Sequence, residues 1–245
     1  MSLVSDYEAL LASEGLSRDP DQLRVLESFG RVANDVCRPV RKGWKRWWQR
    51  PEPPIKGLYV WGGVGRGKTW LMDLFHDHLD GVPKMRLHFH RFMQQVHSEL
   101  AAIKGRSNPL QIIAARMARD WRVLCLDEFH VVDIGDAMIL AGLLRSLFEQ
   151  GIVLVTTSNV LPDNLYRDGI QRASFLPAID LLNAHTEVLE LGGNRDYRKM
   201  ILEQARVYHT PLGAQTDVVL LEEFYRLART NPEGPGDLLI NGRPM

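Results

Sequence analysis

Three short stretches of this 245-residue chain carry side chains that could act together on a phosphate group. The first, Gly62-Gly63-Val64-Gly65-Arg66-Gly67-Lys68-Thr69, satisfies the pattern G-x-x-x-x-G-K-S/T. Glycines let such a loop turn tightly and bring backbone N–H groups onto phosphate oxygens without interference from Cβ atoms. Lys68 then offers a point charge to the β- and γ-phosphates, and Thr69 offers a hydroxyl to Mg2+. A helix starting near Lys68 would turn its positive end towards the same anion. The plain alternative is a glycine-rich turn with a chance Lys-Thr pair, and the apolar run before it and helical periodicity after it argue against that. In the second stretch, VLCLDEF, four apolar residues lead into Asp127 and Glu128, placing two carboxylates at the C-terminal end of a buried strand. Asp127 would hold Mg2+ through water, while Glu128 would accept a proton from, or orient, an attacking water. An isolated Asp-Glu pair more often just caps a strand, but its company with the glycine loop reverses that preference. The third stretch, IVLVTTSN, ends in Asn159, whose amide could bond the attacking water beside the γ-phosphate or simply turn the chain before Leu161-Pro162. The first two stretches favour the functional reading.

These groups meet only if strands end where they begin. Apolar, β-rich runs at Gly57–Trp61, Met85–Phe89, Val123–Leu126, Ile152–Thr156 and Thr186–Leu191 alternate with stretches of 3.6-residue periodicity. That order predicts an α/β fold with a parallel sheet flanked by helices. The helices are expected at Lys68–Leu79, Arg91–Ile103, Pro109–Asp120, Asp136–Phe148 and Leu176–Asn183. Upstream, Leu10, Leu11, Leu23, Val25, Leu26, Phe29 and Val32 fall at helical spacing, giving two helices between Tyr7 and Cys37 with Ser17 and Asp19 available as caps. The segment Arg38–Arg50 then packs six basic residues and three tryptophans before the rigid connector PEPP. The expected divisions are an N-terminal helical segment at 1–54, a core at 55–198 and a C-terminal region at 199–245. In the last region one helix is expected after Arg198 and another near Val218–Leu227, and Leu238–Ile240 reads as a lone strand with nothing to pair with.

Composition excludes several classes. Hydrophobic residues make up 45% and charged residues 24%, which is neither disordered nor low-complexity. Thirty Lys plus Arg balance thirty Asp plus Glu, so nucleic acid or anionic membrane is not addressed through global charge. Cys37 and Cys125 lie far apart without ligand spacing, which fits a reducing, cytoplasmic setting and suggests neither a disulfide framework nor a zinc module. The acidic first fifteen residues lack the order of an export signal, and no apolar run approaches the roughly 20 residues that span a bilayer.

The blocks GLYVWGGVGRGKTWLMDLF, HFHRFMQQVHSEL, CLDEFHVVDIGDAMIL, LVTTSNVLPDNLYRDGIQRASFLPAIDLL and HTPLG, in this order, resemble the ZapE-type AAA+ ATPases, a bacterial cell-division family with mitochondrial relatives. The likeness covers roughly residues 55–215. It implies a P-loop NTPase fold of the AAA+/ASCE type that uses ATP and Mg2+. It gives Lys68, Thr69, Asp127, Glu128 and Asn159 the Walker A, Walker B and sensor-1 roles. It further implies a homo-oligomer in which an arginine of one subunit completes the neighbour's site. Arg167 and Arg172 are the candidates, and Arg172, just before an apolar helical run, is preferred because a guanidinium can neutralise charge on the transferred phosphoryl group. A surface ion pair with Asp163 or Asp168 is its plain alternative. The implied role is remodelling of a protein partner in division, acting on the FtsZ ring or another division protein. Family members continue beyond HTPLG, so residues 199–245 are expected to form an incomplete C-terminal region lacking a lid and a second sensor.

Two other readings share these residues. A helicase-loader-like ATPase would use the Trp/Arg segment on single strands, although nucleic acid is not the expected partner. A module that binds nucleotide without turnover is the other. The same segment could touch a membrane surface, but helix packing with buried rings and snorkelled charges is the expected reading. His88 and His90, two apart on an expected strand, would share a face and pack beside the sheet, since no Cys or carboxylate pattern completes a metal set. Asp133 and Asp136 read as helix caps.

Overall fold

The computed structural model describes residues 2–14, 18–38 and 54–192, together with the main chain of 239–240 and 243–244. The chain divides into two compact units, Met1–Arg195 and Asp196–Met245. In the first unit, helices α1 (Leu3–Glu14) and α2 (Pro20–Cys37) precede β1 (Gly57–Trp61) and α3 (Lys68–His78). There follow β2 (Lys84–His88), α4 (Phe89–Ala102), α5 (Pro109–Asp120), β3 (Val123–Asp127), α6 (Ile134–Glu149), β4 (Val153–Ser158), α7 (Arg172–His185) and β5 (Thr186–Glu190). The strands form one parallel sheet in the order β2-β3-β4-β1-β5.

Alternation along the strands explains why helices cover both faces. Tyr59, Leu124, Leu126 and Leu154 point into a core shared with α4 to α7, whereas Leu58, Val60, Val123, Cys125, Val153 and Val155 enter a second core with α1 to α3. The stretches Leu58–Val60, Val123–Leu126 and Val153–Val155 are therefore apolar without a break. α2 shows the complementary helical logic. Asp19 caps it by accepting from Asp21 N at 2.9 Å, Pro20 opens it, and Val25, Leu26, Phe29, Val32, Ala33 and Val36 form one buried stripe. Across the second core, the Phe29 and Phe75 rings lie 5.0 Å apart. At the edge of the sheet, Arg24 Nη2 donates to Glu190 O at 2.7 Å and Arg31 Nη2 to Glu187 Oε2 at 2.9 Å, fastening α2 to β5.

Several boundaries move from their expected places, each for a local reason. β4 runs through Thr156, Thr157 and Ser158 rather than stopping at the polar cluster, because Thr156 Oγ1 donates to Leu126 O and Ser158 Oγ to Phe129 O, both at 2.8 Å. Hydroxyls that satisfy themselves on the neighbouring main chain are compatible with a buried strand. β2 ends at His88 and α4 begins at Phe89, so His88 and His90 do not share a strand face, and His90 instead meets Gln94 at 3.0 Å. Asp133 caps α6 by accepting from Gly135 N at 2.6 Å, whereas Asp136 pairs with His97 at 2.7 Å and is not a cap. α7 begins at Arg172, four residues before its expected start, and accommodates Pro177 within the helix. In the second unit, Leu239–Ile240 pairs antiparallel with Arg243–Pro244, so the strand expected to be alone has a partner. The helices expected after Arg198 and near Val218–Leu227, and residues 39–53 of the Trp-rich stretch and its connector, lie outside the described residues. No helix among the described residues is long and apolar enough to cross a membrane.

Candidate functional site

The sheet order sets β4 between β1 and β3, so the ends of these three strands lie side by side at the C-terminal edge. In open α/β sheets this edge is where ligands bind. The glycine loop leaves β1 at Trp61, and Gly62 N donates to Ser158 O of β4 at 3.2 Å. A Cβ on Gly62 would come within 2.3 Å of Leu191 O, so only glycine admits this close approach. The loop then turns through Gly65 at φ 80° and Gly67 at φ 87°, a conformation L side chains rarely adopt, and enters α3 at Lys68. Lys68 Nζ donates to Gly62 O and Gly63 O, each at 2.7 Å, which folds the ammonium back over the loop. Thr69 occupies the first turn of α3, and Val64 is exposed on the loop.

The two expected carboxylates differ sharply. Asp127 closes β3 at 4% exposure, while Glu128 is exposed and adopts φ 56°, the left-handed region that costs a non-glycine residue about 1 kcal/mol or more. Thr157 supports this turn from the adjacent strand. Its Oγ1 accepts from Glu128 N at 3.2 Å and lies 3.5 Å from Asp127 Oδ1, and its carbonyl accepts from Phe129 N at 2.7 Å. Asn159 follows Ser158 directly and is exposed, next to the glycine loop through the β1–β4 register. The structure thus brings the three expected stretches to one edge.

Arg172 has different surroundings. Its Nη2 donates to the main-chain carbonyl of Asp163 at 2.6 Å, so what Arg172 meets is the Asp163 main chain, in place of the ion pair with Asp163 or Asp168 that was its plain alternative. Asp163 Oδ1 instead accepts from Asn183 Nδ2 at 3.1 Å. Arg172 Nε is buried without a hydrogen-bond partner, and Arg167 is exposed.

Three residues that support these groups escape the sequence reading. Arg86 of β2 donates from Nε to Asp127 Oδ2 at 2.7 Å and from Nη1 to Asp73 Oδ1. Burial alone would favour loss of its charge, but the hydrogen bonds and charges of Asp127 and then Asp73 outweigh it and hold the guanidinium more firmly protonated than usual. Its signal is a cation inside the apolar run Met85–Phe89, where a buried carboxylate must answer it. Gln22, 1% exposed, donates from Nε2 to Arg66 O at 3.1 Å and accepts from Tyr7 Oη at 3.0 Å. It backs the loop so closely that a Cβ on Gly67 would lie 2.7 Å from its amide nitrogen. A polar residue in line with Val25 and Phe29 on the apolar stripe of α2 is its only trace in the sequence. Thr157 is the third, hidden among neighbouring hydroxyl residues.

The donor set suits a nucleotide with Mg2+. A tight loop at a helix N-terminus carrying a lysine fits a polyphosphate. A threonine hydroxyl and a buried carboxylate are the hard oxygen donors Mg2+ takes, with water and phosphate completing its shell. Among the described residues no group of three or more His, Cys, Asp or Glu could hold a metal by itself.

The chain is 50% identical over 206 residues to the cell division protein ZapE of Escherichia coli strain K12, covering 84% of this chain and 55% of that protein. It therefore spans about half the length of that relative. It is 31% identical over 300 residues to lactation elevated protein 1 homolog B of Danio rerio, covering 99% of this chain and 59% of the other. Among solved structures, AMPPCP-bound DnaA from Aquifex aeolicus superposes with a TM-score of 0.52 at 16% identity, over 85% of this chain and 59% of that one. That likeness is one of fold, a parallel sheet flanked by helices. The family profile of the AFG1-like ATPases runs across residues 1–245 without leaving any part of the chain outside it, and the chain belongs to that family.

Proposed function

We propose that this chain binds ATP with Mg2+ at the C-terminal edge of its sheet and hydrolyses it. The observation that carries this reading is the meeting of Gly62–Thr69, Asp127–Glu128 and Asn159 at the ends of three adjacent strands. Loop amides and Lys68 hold the phosphates, with Lys68 exchanging its bonds to Gly62 O and Gly63 O for phosphate oxygens. Thr69 and Asp127 hold the metal, which when bound supplies charge neutralisation for the β- and γ-phosphate oxygens. Glu128, exposed and free of the strand pairing that constrains Asp127, accepts a proton from the attacking water. The Asn159 amide orients that water. Arg172 serves as the group that one copy offers to another, exchanging its bond to Asp163 O for the neighbour's γ-phosphate. Turnover drives remodelling of a protein partner. The 50% identity to a cell division protein supports a role in bacterial division; action on the FtsZ ring is what the resemblance of the sequence blocks implies.

Steady-state ATP hydrolysis measured across protein concentration, for the chain and for Glu128→Gln, tests this. Turnover that rises more than linearly with concentration is expected, with a drop of roughly 10²–10⁴-fold in the variant while ATP still binds. Parent-like hydrolysis in Glu128→Gln, or no ATP binding by the chain, would overturn the proposal. Co-pelleting with polymerised FtsZ, lost when ATP is withheld, tests the partner.

A further inference from the structure

The nucleotide reading gives Asp127 a role and leaves the cation beside it without one. Arg86 sits in the middle of β2, paired in register with Cys125 of β3, and its side chain is 20% exposed. Through Nε it bonds Asp127 Oδ2 at 2.7 Å, and through Nη1 it bonds Asp73 Oδ1. Asp73 stands four residues after Thr69 in α3, one turn along the same helical face. One planar guanidinium therefore joins the strand that carries Asp127 to the helix that carries Thr69. A guanidinium presents its donors in a fixed fork, so the two carboxylates it binds cannot drift independently. The remaining oxygen of Asp127, Oδ1, lies 3.5 Å from Thr157 Oγ1, which leaves the carboxylate held from two sides.

We propose that Arg86 is a positioning residue for the divalent-cation site, fixing the separation between the Thr69 hydroxyl and the Asp127 carboxylate by bracing β3 against α3 through Asp73. The proposal rests on the nucleotide reading of this site. A competing role is conceivable for the same contact, in which Arg86 occupies Asp127 in place of the metal and must leave before it binds. The geometry points to the brace. A guanidinium bonded to two carboxylates at once, one of them almost wholly buried, is a fixture of the fold and not a mobile counterion. The two roles differ in sign. A brace, once removed, weakens the metal's contribution to nucleotide binding, whereas a competitor, once removed, strengthens it.

The test is the gain in ATP affinity that Mg2+ confers, measured by titration calorimetry in Mg2+ and in EDTA, on the full chain and on Arg86→Met, Arg86→Lys and Asp73→Ala. Loss of a residue that orients a metal ligand typically costs about 10–100-fold in metal-linked affinity, and Arg86→Met is expected to lose that much of the Mg2+ gain. Arg86→Lys recovers part of it, because a point charge answers one carboxylate but not both. Asp73→Ala, which alters a partly exposed side chain and keeps the Arg86–Asp127 bond, loses a smaller share. Affinity in EDTA is unchanged in all three. If Arg86→Met does not fold, the other two variants decide. An Mg2+ gain equal to or larger than the parent's in Arg86→Lys and Asp73→Ala overturns the proposal alone. Absence of ATP binding by the parent overturns it together with the nucleotide reading.

Discussion

Two arginines set the middle of β2 against the start of α7. Arg86 lies in the middle of β2, an outer strand of the sheet, and bonds two carboxylates, those of Asp127 and Asp73. Arg172 opens a helix at the unit's surface and gives its one observed bond to a neutral main-chain carbonyl, with its Nε buried and unpartnered. The sequence draws attention to Arg172, because a basic residue after the third polar stretch is where a neighbouring subunit's site would look for one. To Arg86 it points only through a cation set in an apolar run. A guanidinium's task follows from what surrounds it in space, and the surroundings here assign a fixed brace to one arginine and leave an exchangeable contact at the other.

The widest separation between them should appear in turnover. Arg172→Ala is expected to reduce hydrolysis by the assembled chain on the order of 10³-fold, with ATP affinity at high dilution unchanged. A rate equal to the parent's at every concentration would remove Arg172 from catalysis and leave it a helix-end contact. Stability should reverse the ranking. Arg86→Met leaves the buried Asp127 carboxylate without its counter-charge and is expected to cost about 3 kcal/mol in urea denaturation, of which Asp127→Asn in the same background recovers a large part. No recovery in the double variant would show that packing, not charge, holds this region together. A third comparison isolates burial from charge. Gln22 and Arg172 each donate to one main-chain carbonyl, but Gln22 does so at 1% exposure. Gln22→Glu, which sets a carboxylate against Arg66 O, is expected to cost about 2 kcal/mol and Arg172→Ala about 0.5–1 kcal/mol. Equal costs would show that the bond to the loop is dispensable for folding.

The smallest effect concerns the thiol opposite Arg86. Burial pushes Cys125 from 9.0 up to about 12, with the charge of Arg86 pulling back only in part. A group whose proton is held more tightly in the folded state adds its full share of stability below the ordinary thiol range and loses that share as pH climbs towards 12. At pH 8 a thiol reagent should therefore label exposed Cys37 and spare Cys125 until denaturant is added. Labelling of both under native conditions would mean that β3 opens readily.

The sheet was legible because its three central strands are buried on both faces, so that Leu58–Val60 and Val123–Leu126 read as unbroken apolar runs between helical periods. The glycine loop and Asp127-Glu128 were legible because their chemistry demands particular residues at fixed spacing. Position 128 adds something the spacing did not carry, a left-handed backbone held by a hydroxyl from another strand. Thr157 and Ser158 fall beyond the strand that the sequence suggests, since hydroxyl groups favour turns, and the bond of Ser158 Oγ to Phe129 O shows how such a group is satisfied within a buried strand. Arg86, Gln22 and Thr157 share one reason for escaping notice. Each acts on a partner at least 29 positions away, and no local pattern records such a pairing.

The fastening of α2 to β5 has a consequence for how the protein is made. Arg24 waits for Glu190, 166 positions later, and Arg31 waits for Glu187. At typical synthesis rates of about 5–20 residues per second, roughly 10–30 s pass between the emergence of α2 and that of the last strand it is tied to. Throughout that interval the stripe of Val25, Leu26 and Phe29 has only part of its final cover, and a nascent chain in that condition is a natural client for a ribosome-associated chaperone.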